Sequence, residues 1–271
     1  ARVKSLLARV SEKKPVSSLS NGDGQGYVIG VLAPRGGLGV TTLAVNLAAG
    51  LHNKTKSEVI AAEMLPGQGT MALDMGVVAS KGLVDLLSIT KPADLTNAKV
   101  RDSLTPHGSG IKLLLASDRP RDMHLIGQVA NYETTLALLA GLARFVVLDL
   151  GVGMQPFAQK VLPLCNEVLV ILEGAPNTII HTKALIDDIA SLGINKKIIN
   201  VVLNNRIRSD TQLPSSQVQT KLDYEIVSTL TPAPELFVQA TRMQTPAILC
   251  QPDSLTARQV NKLVDFITEH E

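Results

Sequence analysis

The chain has 271 residues and a net charge of +2, with 45% hydrophobic residues, 3% aromatics, no tryptophan and two cysteines. That length builds one large α/β domain or two small ones, and the near-neutral charge disfavours a protein that coats nucleic acid. Cys165 and Cys250 make neither a metal spacing nor a disulfide framework, and no apolar run reaches the roughly 18–20 residues that cross a bilayer, so a cytoplasmic chain without direct membrane insertion is expected.

In chain order, "ARVKSLLARVSEKK" (1–14) fits a short basic amphipathic helix, and "PVSSLSNGDGQG" (15–26) has linker composition. Residues 1–26 are therefore expected to be an arm or tether from an upstream domain, and 27–271 a single nucleotide-binding domain. From residue 27 strands and helices alternate. The strands are expected at 27–33, 58–63, 111–117, 144–150, 167–173, 198–204 and 224–230. Helices are expected near 42–53, 122–142, 154–164, 177–192, 233–242 and 255–270. The alternation predicts an α/β fold, a mostly parallel twisted sheet with helices on both faces. Its core must be aliphatic, because aromatics are so few. Ligands of such sheets bind at the carboxyl ends of the strands.

The first strand leads into "APRGGLGVTT" (33–42). Gly36, Gly37 and Gly39 let the backbone turn its N–H groups toward an anion. The following helix aims its positive end at the same place. Thr41 stands where a Mg²⁺-binding hydroxyl belongs, and Thr42 can donate to another phosphate. Leu38 and Val40 complete the loop. Two departures from G-x-x-x-x-G-K-[ST] stand out: Pro34 occupies the first glycine position and Val40 the lysine position. A glycine-rich turn of this kind can also be purely structural.

"RGGLGVTTLAVNLA" resembles the deviant P-loop of the MinD/ParA superfamily, K-G-G-x-G-K-T-T followed by A-x-N-x-A. The resemblance runs from about residue 27 to the end and is closest to the CpaE/TadZ branch of pilus-assembly and localisation ATPases. It implies a P-loop NTPase fold that binds ATP or ADP with Mg²⁺. The basic residue that reaches across a dimer in that family matches Arg35. "RFVVLDLG" looks like a Walker B strand that ends in Asp149, a Mg²⁺ carboxylate alongside Thr41; an Asp that caps a turn is the alternative. "VVLNN" resembles the strand that ends in an adenine-contacting Asn, here Asn204; a turn-forming Asn-Asn pair is the alternative. "TPAPELFVQA" (231–240) resembles the stretch that lies over the base, although its prolines can simply shape a loop.

After the second strand the family shows D-x-D and then Q-x-G-D. Counting back from Gly76, Glu63 falls on the first Asp, Leu65 on the second and Thr70 on the later one. Glu63 can still serve as a carboxylate near the metal, but Leu65 cannot orient water. Gln68 is out of register with the family's Gln, and Asp74 is expected at the surface of a short helix. Nucleotide binding with slow or no hydrolysis follows. The resemblance further implies a homodimer that serves as a localisation or assembly factor for a type IV (Flp/Tad) pilus or secretion system, recruited by partners to the cell pole or the inner membrane face. The upstream domain in that branch is often receiver-like. The alternatives are a ParA-type DNA-partitioning ATPase and a degenerate scaffold that binds no nucleotide. Lys196, Lys197, Arg206 and Arg208 are the best basic group for DNA, and read more simply as a solvated rim.

Overall fold

A computed structural model describes residues 25–78, 80–206 and 212–271. The arm expected over 1–26 lies outside these up to residue 24, and so does Arg208. Eight strands form one sheet: β1 (Tyr27–Ala33), β2 (Val59–Glu63), β3 (Leu104–Pro106), β4 (Lys112–Leu114), β5 (Phe145–Val152), β6 (Glu167–Leu172), β7 (Ile199–Asn204) and β8 (Ile226–Leu230). Their order is β3-β4-β2-β5-β1-β6-β7-β8. All pairings are parallel except β3 with β4. The fold is therefore the expected α/β class.

The sheet is central because its strands are aliphatic on both faces. In β1, Val28 and Leu32 join one core, while Ile29 and Val31 join the other. Strand side chains alternate, so an unbroken apolar run is buried only if both faces are covered. One face carries α1 (Val40–Thr55), α10 (Ala247–Cys250) and α11 (Leu255–His270), through Leu43, Leu47, Ile248, Val260 and Leu263. The other carries α3 (Leu83–Leu87), α5 (Val129–Ala140) and α7 (Pro176–Ser191), through Leu83, Leu136, Leu185 and Ile189. Tyr132 stacks on Phe157 in this second core and donates from its hydroxyl to the Met64 carbonyl, tying α5 to the segment after β2.

Two helices differ from expectation. The helix expected at 122–142 is a 3₁₀ segment, Pro120–Gly127, followed by α5, with Gln128 between them at ψ 55°. The one expected at 154–164 shrinks to α6 (Ala158–Val161) and a 3₁₀ turn, Leu162–Leu164, containing Pro163, whose missing N–H stops continuation. Periodicity alone does not separate β3, α4 (Asn97–Asp102) or α8 (Ser215–Leu222), all short. Cys165 is buried, its thiol pushed up to about 12 by desolvation, and Cys250 is half-buried; both are free thiols.

Candidate functional site

The loop between β1 and α1 sits where the connections on either side of β1 diverge, with β5 on one side and β6 on the other. Such a switch point opens a crevice at the carboxyl ends of the strands. Gly37 and Gly39 have φ of +77° and +89°, a left-handed backbone open to glycine and strained for other residues. Leu38 is fully buried and anchors the loop in the core. Asn204, at the end of β7, donates from Nδ2 to the Leu38 carbonyl at 2.8 Å. A Cβ at Gly39 would lie 2.8 Å from that same nitrogen. The amide of Asn204 is thus a latch on the loop, as well as part of a cavity wall.

Two cavities meet at this loop. The smaller, about 360 Å³, is lined by Arg35 through Thr42 together with Glu63, Leu65, Gln68, Asp74 and Asp149. The larger, about 390 Å³, shares Gly37, Gly39 and Thr42 and continues past Asn46 and Asn204 to Thr231–Pro234 and Phe237. Thr231–Pro234 and Phe237, from the stretch assigned by resemblance to the base and the start of α9 (Pro234–Met243), form one wall of it. Helix α1 begins at Val40, so its first-turn N–H groups border the shared region.

Inside the smaller cavity the Thr41 hydroxyl donates to Asp149, whose other oxygen accepts from the Gly151 N–H at 3.0 Å. Asp149 is 5% exposed, and burial pushes its carboxyl above the ordinary range, against the hydrogen bonds. A desolvated carboxylate converging with a hydroxyl is a hard-oxygen pair that a bound Mg²⁺ would relieve of its desolvation penalty. Among the described residues no three His, Cys, Asp or Glu side chains gather as a metal set. Mg²⁺ is commonly held by one or two protein oxygens plus phosphates and water, so the donors present fit it.

Glu63 faces Asp149 in the register of β2 against β5. Its Oε1 accepts from the N–H groups of Thr70 (2.7 Å) and Met71 (2.9 Å), and its Oε2 from that of Ala116 (3.1 Å). Desolvation, helped by the Asp149 charge, outweighs these bonds and pushes its pKa up to about 7. Both oxygens of Glu63 are therefore engaged, one holding the chain after β2 and the other the chain after β4. Leu65, at the position that the resemblance gives to a water-orienting Asp, lines the cavity. A Cβ at Gly151 would lie 1.9 Å from its Cδ1, so an apolar side chain is packed against the end of β5. Val40 is 8% exposed and belongs to the α1-side core.

Several placements were not legible in the sequence. Asp74, expected at the surface, is half-buried at the end of α2 (Met71–Asp74), lines the smaller cavity, and is pushed up by desolvation. Gln68, although out of register, lines the same cavity. Asn46 donates to the Thr42 carbonyl at 2.8 Å and accepts from the Ile248 N–H at 3.0 Å, fastening α1 to α10. The A-x-N-x-A spacing marked Asn46 without giving its role. Arg206 leaves the basic rim formed by the exposed Lys196 and Lys197 and sits at the loop. Arg35 is bound within its own chain, to Glu173 and to Thr178 Oγ1.

No family model and no curated protein matches the sequence. Solved structures do. A ParA family ATPase from Chlorobium tepidum TLS superposes with a TM-score of 0.78 at 15% identity, over 89% of this chain and 98% of that one. MinD from Pyrococcus horikoshii OT3, complexed with Mg-ADP, gives 0.76 at 19% identity over 89% and 96%. An ATP complex of a McdA variant from Cyanothece gives 0.68 at 15% over 91% and 97%. At these identities the likeness is one of architecture, and on it the chain has the fold of the ParA and MinD ATPases.

Proposed function

We propose that this chain binds ATP or ADP with Mg²⁺ at the loop 34–42 and hydrolyses ATP slowly or not at all. The observation that carries the reading is the smaller cavity itself. It keeps the loop amides, the left-handed glycines and the Thr41–Asp149 pair, and is lined by Val40 and Leu65 at the positions that the resemblance gives to a cation and a water-orienting carboxylate. The first set holds a phosphate and a metal; the second set is what phosphoryl transfer adds. Removing one such electrostatic contact costs about 3–4 kcal/mol of transition-state stabilisation, so two losses leave little turnover. Asn204 and the 231–234 wall would take the base in the larger cavity, as an amide offers a paired donor and acceptor.

We place the chain, on the sequence resemblance, among dimeric localisation or assembly factors for a pilus or secretion machine, recruited by partners. Among the described residues no helix is long and apolar enough to cross a membrane. The test is thermal unfolding with ATP, ADP or no nucleotide, each with and without Mg²⁺, run beside a phosphate-release assay. A ligand that binds only the folded chain raises its apparent stability, by about 2.7 kcal/mol at a hundredfold excess over Kd. A shift with both nucleotides, larger with Mg²⁺ and without sustained phosphate release, is the expected outcome. No shift at millimolar ATP would leave a scaffold that binds no nucleotide, and rapid turnover would refute the meaning given to Val40 and Leu65.

A further inference from the structure

The cation absent from position 40 has a counterpart on the other side of the loop. Glu173 follows the last residue of β6, and its side chain is only 8% exposed. Two guanidinium groups hold it. Arg35 donates from Nη2 to Oε1, and Arg206 Nη2 lies 3.5 Å from Oε2. Arg35 is oriented further by its Nε, which donates to the fully buried Thr178 at 3.2 Å. The two arginines serve different cavities: Arg35 lines the smaller one, and Arg206 lines the larger. A Cβ at Gly37 would lie 3.8 Å from Arg206 Nη1, so that guanidinium stands over the open glycine face of the loop. One buried carboxylate thus mounts two half-exposed cations, 39% and 44% exposed, on either side of the loop amides. Among the described residues the pair of guanidiniums shares this single carboxylate, which leaves positive charge facing the junction of the two cavities.

We infer that Arg206 is a phosphate-binding residue that supplies, from the end of β7, the cation that Val40 removes, with Glu173 as the positioning residue that holds it. The ligand class is a di- or triphosphate. A guanidinium presents a planar fork to phosphate oxygens and keeps its charge at any accessible pH. Its mount is a buried carboxylate that Arg35 also holds. The inference deepens the nucleotide-binding reading and rests on it for the nucleoside, but not for the polyphosphate.

The test is calorimetric titration of the purified chain, Arg206→Ala and Arg206→Lys with Mg-ATP, tripolyphosphate and adenosine. Arg206→Ala should weaken ATP and tripolyphosphate about tenfold, leave adenosine binding and the unliganded melting temperature unchanged, and be partly rescued by Arg206→Lys. Unchanged affinity for both polyphosphates would overturn the assignment. A parallel loss of adenosine would also overturn it, by giving Arg206 to the shape of the base cavity. Tripolyphosphate binding that depends on Arg206, with no ATP binding, would keep this inference and remove the nucleotide reading; a chain that binds neither removes both. Glu173→Ala should lose polyphosphate affinity and Glu173→Gln, which keeps one acceptor, should lose less. A gain of affinity in Glu173→Ala would show a competing anion and overturn its positioning role.

Discussion

Glu63 and Asp74 line one cavity, yet their hydrogen bonds give them different work. Glu63 accepts three backbone N–H groups from two segments, Thr70–Met71 and Ala116, and is 3% exposed. Asp74 is half-buried and its carboxyl is lowered only by Thr241, against desolvation. Removing Glu63 would strand buried donors, each at a cost of about 1–3 kcal/mol. Glu63→Ala should therefore destabilise the chain by roughly 3–5 kcal/mol in urea unfolding, and Asp74→Ala by less than about 1 kcal/mol. Equal effects would mean that the N–H groups find other partners. The resemblance put a carboxylate at 63 beside the expected metal. It did not show that both oxygens would be engaged, because Ala116 is far along the chain and arrives only through the pairing of β4 with β2.

The loop works as an element because three others hold it. Its Leu38 side chain is in the core, its Leu38 carbonyl is latched by Asn204 from β7, and its helix is fastened to α10 through Asn46. Gly39 is the tightest point, left-handed and in close approach to Asn204. Gly39→Ala should cost about 1–2 kcal/mol from the backbone alone and break the latch as well. A lowered melting temperature together with lost ATP affinity is expected; retention of full affinity would show that the latch is dispensable. Elements also account for the helices misjudged from sequence. A run of helical spacing over 122–142 conceals Gly127 and Gln128, where the backbone turns out of the helix. Periodicity registers the apolar face and misses such a single-residue break.

Across the whole molecule the sheet separates two ends with different chemistry. At the carboxyl end lie the loop, Asp149 and Glu173. At the opposite end Glu167, first residue of β6, accepts from the Tyr27 hydroxyl at 3.3 Å and from Asn200. Burial pushes Glu167 up to about 7, a shift that nearby His270 and the two hydrogen bonds reduce. The folded chain therefore holds a proton that the unfolded chain, near 4.5, has already lost. This stabilisation is complete below pH 4.5 and disappears as pH rises to about 7. Urea midpoints of the wild type should fall from pH 5 to 8 more steeply than those of Glu167→Gln, by up to roughly 1.4 kcal/mol per pH unit. Glu63 contributes with the same sign. Identical profiles would show that Glu167 titrates as in the unfolded chain.

The sequence by itself determined the α/β class, seven of the strands to within a few residues, and the loop with its threonine pair. These are local facts: aliphatic runs of strand length, glycines where the backbone must turn left-handed, a hydroxyl at the start of a helix. The readings of Val40 and Leu65 as replacements came with the family resemblance, as residue types set against a motif. Only the tertiary structure decided which carboxylate is engaged, that Asp74 and Gln68 reach the cavity, and that Arg206 leaves the rim for the loop. Each of those depends on elements far apart in the chain, brought together by the strand order. The pairing of β1 between β5 and β6 places Asp149 and Glu173 on either side of one loop, and no spacing along the sequence encodes that distance.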